Sequence, residues 1–210
     1  SISQNAPGAI VSKIDIKTLE AFAGDSIAIT SGANIIDTLG NFSLGGSLAV
    51  HAIGRASGMA LIGDITATDV SIKTGNGSLE LGTYNITSTS GNIWLQGSGI
   101  NQSAGAVVNS AGTVTLYGND YRTVYNSFDP SSWTSSYGTA NLQGQIIAAS
   151  TANDSVTFAN ITDLILPSME IGTAGNRGGL RLGVNNSNYI SGAVTQSAAE
   201  QDKLLVSQVS

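Results

Sequence analysis

A three-residue pattern, apolar–x–apolar, returns along this chain too regularly to belong to isolated strands. Ile27-Ala28-Ile29, Leu48-Ala49-Val50, Val70-Ser71-Ile72, Leu79-Glu80-Leu81, Ile93-Trp94-Leu95, Val114-Thr115-Leu116, Val156-Thr157-Phe158 and Leu180-Arg181-Leu182 all carry it. Each copy puts two apolar side chains on one face of a strand and a third, often polar, residue on the other. Strands this short are not stable alone or as lone hairpins, so the triplets must be stacked on one another. Equivalent triplets, marked by Val50, Val70, Ile93 and Val114, return every ~20 to 23 residues. Turn-forming pairs separate them, among them Gly24-Asp25, Gly45-Gly46, Gly63-Asp64, Gly91-Asn92 and Gly178-Gly179, which suit corners. The period predicts an all-β parallel β-helix, a solenoid in which no coil buries its apolar face alone and stacked coils share one core. A chain of 210 residues then makes roughly ten coils, and at about 4.8 Å per coil a rod about 50 Å long.

A longer repeat overlies the short one. Ile100-Asn101-Gln102-Ser103-Ala104 is echoed by Ile2-Ser3-Gln4-Asn5-Ala6 and Val194-Thr195-Gln196-Ser197-Ala198, copies 98 and 94 residues apart. The expected organisation is a single rod over residues 1–210, with two repeats at about 2–99 and 100–193. Helical patterning is confined to 18–23 and 197–205, and at the second a strand or frayed end is preferred because the repeat phrase overlaps it.

The regular pattern breaks between Tyr117 and Tyr137. Six of the chain's twelve aromatic residues lie there, beside Pro130 and a serine-rich run. Proline denies the stretch a regular central strand, so it is expected to be a loop or enlarged coil projecting from the rod. Exposed Tyr and Trp offer flat apolar area and a polar tip, which suits sugar faces or protein partners. Tyr121, Tyr125 and Trp133 are the candidate ligand-binding residues.

Composition excludes several classes. Net charge is −6, and eight Lys and Arg are scattered, so the basic stripe that nucleic acid requires is missing. There is no cysteine, which removes disulfides and thiol chemistry. No stretch approaches the ~20 apolar residues of a membrane helix, so membrane insertion by this segment is not expected.

In order and recurrence, the run Ala56-Ser57-Gly58-Met59-Ala60-Leu61-Ile62-Gly63-Asp64-Ile65-Thr66-Ala67, then Val70-Ser71-Ile72-Lys73-Thr74 and Gly77-Ser78-Leu79-Glu80-Leu81, resembles the repeats of filamentous-haemagglutinin-like large exoproteins. The phrase Ile100 to Ala106 followed by Gly112 to Leu116 is similar to the same repeats. The resemblance covers most of the chain outside the aromatic stretch and the less regular 139–188. It implies a right-handed β-helix from a bacterial adhesin of the two-partner-secretion or autotransporter type, located outside the cell or on its surface. The family's secretion-recognition domain and membrane anchor are not in this sequence.

Candidate chemistry is sparse. His51 is the one possible base for a serine triad and reads as a histidine on the coil surface; no Gly-x-Ser-x-Gly elbow accompanies it. A polysaccharide-active β-helix would need two carboxyl groups about 5 to 9.5 Å apart. The close pairs available are Asp64 with Asp69, Asp120 with Asp129, and Asp154 with Asp163. Most of these acids sit beside Gly or Asn, where Asp makes turn hydrogen bonds. Seven Asn-x-Ser/Thr sequons occur, at Asn41, Asn76, Asn85, Asn101, Asn153, Asn160 and Asn185. Thr-x-Thr pairs at 66/68, 87/89 and 113/115, which on a flat face bind ice, fall on no common register in sequence. The expectation is therefore a non-enzymatic rod with no catalytic residues, cofactor or metal. Its partners would be a surface glycan or protein on a host or neighbouring cell, with end-to-end self-association. The alternatives are a polysaccharide-active enzyme and a purely structural self-assembling fibre subunit.

Overall fold

A computed structural model describes residues 2–4, 15–31, 34–52, 58–75, 77–118, 138–183 and 193–196. These residues form 22 strands and no helix. The chain winds as a parallel β-solenoid with three faces. Face one holds eight parallel strands, one from each passage: β1 (Ile2–Gln4), β3 (Ile27–Ile29), β5 (Leu48–Ala52), β8 (Val70–Thr74), β11 (Ile93–Gln96), β14 (Val114–Tyr117), β17 (Val156–Ala159) and β21 (Leu180–Leu182). Between successive strands of face one the chain crosses two other faces. Face two contains β6 (Met59–Leu61), β9 (Leu79–Gly82), β12 (Gly99–Gln102), β15 (Gly138–Leu142), β18 (Ile161–Leu166) and β22 (Val194–Gln196). Face three contains β7 (Ile65–Ala67), β10 (Ile86–Ser88), β13 (Val107–Ser110), β16 (Gln145–Ala148) and β19 (Ser168–Thr173), with β20 (Asn176–Arg177) folded back antiparallel on β19. Faces two and three fuse at β2 (Asp15–Ala23) and β4 (Ile35–Leu44), long strands that run through their shared corner.

The solenoid makes about six turns between Ile27 and Leu180, fewer than the roughly ten expected. Registers on face one place Ile27, Leu48, Val70, Ile93 and Val114 in line, so these coils span 21, 22, 23 and 21 residues. The next takes 42 residues, from Val114 to Val156, because the aromatic stretch is inserted into it. The segment 18–23, where helical patterning was weighed, lies in β2, since Ala21, Phe22 and Ala23 pair with Phe42, Ser43 and Leu44.

Period-2 alternation converts directly into a core. On face one, Val50, Ile72, Leu95, Leu116 and Phe158 stack in register, and all are buried. A second column runs Ile27, Leu48, Val70, Ile93, Val114, Val156 and Leu180, also buried. Like residues meet like residues every coil, so the core is continuous along the axis.

Corners are held by side chains that accept hydrogen bonds from the next coil. Between faces two and three, Asn41 Oδ1 accepts from the Asp64 N–H (3.1 Å), Asp64 Oδ1 from Asn85 (2.8 Å), and Asn85 Oδ1 from Val107 (2.9 Å). Between faces three and one, Ser26 Oγ accepts from Ser47 (2.9 Å), Asp69 Oδ1 from Asn92 (2.9 Å), and Asn92 Oδ1 from Thr113 (2.8 Å). Backbone N–H groups that leave a strand at a corner are thereby satisfied. Stacking here is close enough to demand glycine: a Cβ at Gly112 would lie 2.5 Å from Asn92 Oδ1 and 2.7 Å from the Gly91 carbonyl oxygen.

The insertion closes at its base. Gly118 donates to Ala159 O (2.9 Å), and Gly138 donates to Asn160 O (3.1 Å) and to the carbonyl of Gly118. The chain therefore leaves and rejoins the coil at one place. Asn160, buried beneath this neck, has φ of +54°. Its Oδ1 is buried with no hydrogen-bond partner.

Copies of the long-repeat phrase occupy β1, β12 and β22. The last two share face two, whereas the first lies on face one.

Candidate functional site

Outward-facing residues on face one form columns along the rod, because register fixes which side chains lie over one another. One column runs Ala49, Ser71, Trp94, Thr115, and the next runs His51, Lys73, Gln96, Tyr117. Trp94 bridges the two. Its ring stacks on Tyr117 with centroids 5.7 Å apart and planes 19° from parallel. On the other side, Lys73 Nζ lies 5.6 Å from the Trp94 ring centroid, a cation–π contact. Trp94 Nε1 donates to Gln96 Oε1 at 3.4 Å. The indole covers Gln96, which is buried, while 37% of Trp94 remains exposed. Lysine, tryptophan and tyrosine thus form one stack across three coils.

The electrostatics of this strip differ from the rest of an acidic chain. The described ion pair is Arg181 Nη1 to Asp154 Oδ2 at 3.9 Å, at the far end of the same face. Lys73 has no carboxylate within ion-pair distance among the described residues. Burial lowers its pKa. His51, beside it, is pushed down to about 4 by burial first and by the Lys73 charge second, against an opposing pull from a hydrogen bond with the Thr30 backbone. At neutral pH the strip carries one ammonium and a neutral imidazole. His51 is therefore a half-buried surface histidine, as the sequence suggested, with its carbonyl accepting from Asn34 Nδ2 (3.2 Å).

The candidate acids have structural partners. Asp64 and Asp69 each accept a backbone N–H at a different corner. Asp154 faces Arg181, and Asp163 Oδ1 accepts from Ala193 N–H at 3.0 Å. Asp120 and Asp129 lie outside the described residues, as do the three candidate binding residues Tyr121, Tyr125 and Trp133. Among the described residues no group of three His, Asp or Glu side chains converges to hold a metal ion, and no helix is long and apolar enough to cross a membrane.

Other surface patterns are now placed. Thr66 stands in register with Thr87 on face three, a stacking the sequence reading did not see. Thr115 lies on face one, so the three Thr-x-Thr pairs do not form one array. Thr89 Oγ1 is also turned to the Ala67 carbonyl (3.2 Å). Of the sequons, Asn160 is buried and Asn101 Nδ2 donates to Glu80 Oε1 (2.7 Å). Asn41 and Asn153 are exposed.

Sequence reasoning missed Lys73 and Trp94 as surface candidates because both were absorbed into strand triplets or their flanks. The signal was present: aligning Val70 on Ile93 and Val114 puts Lys73 one coil from Gln96 and Trp94 beside Tyr117. Comparisons of this chain with protein-family models, with curated proteins and with solved structures gave no match in any of the three.

Proposed function

We propose that this chain is a structural and adhesive rod segment. In this reading it is a right-handed β-helix from a secreted or surface-exposed bacterial exoprotein, holding a binding region away from the cell or building an extracellular fibre. The observation that carries the reading is the architecture itself: one core and three ladders run the length of the rod, while a large insertion leaves it at a closed neck. Such a scaffold transmits load along hydrogen-bonded strands and presents loops without disturbing the core. The right hand follows from the usual sense of parallel crossovers, and the repeats resemble those of haemagglutinin-like exoproteins. Its partner is a glycan or protein on a neighbouring surface, with Tyr121, Tyr125 and Trp133 in the insertion as contact residues.

The engaged carboxylates weigh against the polysaccharide-cleaving alternative, because four of its candidate acids, Asp64, Asp69, Asp154 and Asp163, already have a structural partner on the next coil. Electron microscopy of the purified chain at several concentrations, with a cell-binding assay on coated beads, tests the proposal. Rods with bead adhesion that fails on removal of residues 119–137 are expected. Compact particles, or beads that bind no surface, would overturn it.

A further inference from the structure

We propose that the Lys73–Trp94–Tyr117 strip on face one is a binding site for a carboxylate-bearing polysaccharide lying along the rod axis. The inference deepens the adhesive reading and rests on it.

Three observations converge. First, the chain carries 14 acidic and eight basic residues, yet Lys73 has no acidic partner among the described residues and is partly withdrawn from water. A half-buried ammonium attracts an anion more strongly than a solvated one, because the surrounding dielectric is lower. Second, the charge is fixed in place: the face of Trp94 holds one side of Lys73, and Tyr117 backs the indole. Lysine tethered this way loses less freedom on binding than a free side chain. Third, the exposed edge of Trp94 continues the strip toward Tyr117, offering apolar contact next to the charge. Neighbouring coils are about 4.8 Å apart, so Lys73 and Tyr117 are separated by roughly 10 Å along the axis. Two linked pyranose rings fit that span, with one carboxylate on Lys73 and ring C–H groups against the exposed Trp94 edge.

A sugar acid fits this face better than an acidic peptide. Extended peptides are captured through free main-chain groups at a sheet edge, but β8, β11 and β14 are each paired on both sides. Recognition here can use only side chains, and one ammonium beside an aromatic edge matches an acidic sugar. His51, neutral above pH 4 to 5, extends the strip by one coil; its one N–H is engaged by the Thr30 backbone, so the other ring nitrogen can accept a hydrogen bond from a sugar hydroxyl without competing for the anion.

The test is calorimetric titration of the whole chain with a short polygalacturonate, its neutral methyl ester, polyglutamate and sodium acetate. Binding of polygalacturonate is expected, with the ester and acetate at least tenfold weaker. Lys73→Met, which keeps the stem and removes the charge, should weaken binding about tenfold or more. Trp94→Leu should also weaken it, Lys73→Arg should retain part of it, and Arg181→Met, on the same face, should leave it unchanged. Far-UV circular dichroism melts establish that each variant is folded. No binding of polygalacturonate, equal binding of acetate or polyglutamate, or undiminished binding by folded Lys73→Met would each overturn the site. Rod formation in the microscope is untouched by any of these outcomes, so failure of the site and failure of the rod reading are distinguishable.

Discussion

His51 is the single histidine of the chain, and its environment makes stability depend on pH. Its folded pKa is about 4, below the ordinary 6.5. The unfolded chain therefore binds a proton that the folded chain refuses between those values. Stability is full above pH 6.5 and falls as pH drops toward 4. With part of the ring still open to solvent, the loss is on the order of 1 to 2 kcal/mol, a few degrees in Tm for a chain of this size. Thermal melts at pH 7, 6, 5 and 4.5 should show this decline, and His51→Gln should flatten it. A wild-type Tm independent of pH above 4.5 would contradict the burial assigned to the ring. At the corners, Asp69 separates a structural acid from a catalytic one. Asp69→Asn keeps the oxygen that accepts from Asn92 and should melt within about 1 °C of the native chain, whereas Asp69→Ala should lose about 1 kcal/mol, or 2 to 4 °C. A polysaccharide-cleaving activity abolished by Asp69→Asn, with the melt unchanged, would restore the enzyme alternative.

Single coils show which parts of the structure the residues could announce. Triplets such as Ile93-Trp94-Leu95 specify both strand and burial, because alternation leaves only one way to hide two apolar side chains. Corner residues were equally legible: Gly91-Asn92 and Gly63-Asp64 fall where the chain turns, though their bonding to the next coil was not. Those bonds depend on register between segments about 21 residues apart, which no local pattern states. The surface strip was hidden for the same reason, since Lys73 and Tyr117 become neighbours of Trp94 only through stacking. Coil number was overestimated because the period was divided into the whole length, while one coil holds an insertion and the six turns run only from Ile27 to Leu180. That insertion yields a prediction of its own. Removing residues 119–137 shortens the 42-residue coil by nineteen and leaves 23, the length of the coil from Val70 to Ile93. Gly118 and Gly138 already meet at the neck, so their direct joining asks little of the backbone. The deletion variant should fold with an unchanged far-UV spectrum and a Tm within a few degrees of the parent. Loss of cooperative melting would mean that the insertion packs on the rod as part of its core.

At the scale of the whole molecule, a solenoid is nearly one-dimensional: each coil contacts its neighbours, and stability accumulates along the axis. Among the described residues, β21 is paired only with β17, and Leu182 on it is 39% exposed, although its register partner Phe158 is fully buried. At the opposite end Phe22 on β2 is 72% exposed. An open parallel edge beside exposed apolar side chains is a template for another strand. Coils of similar length and triplet register make a second copy the best-matched partner, adding to the stack as one more coil would. Sedimentation velocity should therefore show larger species as concentration rises, with axial ratio increasing rather than width. Leu182→Lys places a charge at the exposed position of the terminal strand without touching a buried coil, and should shift the distribution toward the monomer while leaving Tm nearly unchanged. A single sedimenting species at all concentrations would mean that the terminal coils are closed by the chain itself. The rod would then act as a finite spacer rather than a fibre subunit, and adhesion would rest on its lateral faces and the insertion alone.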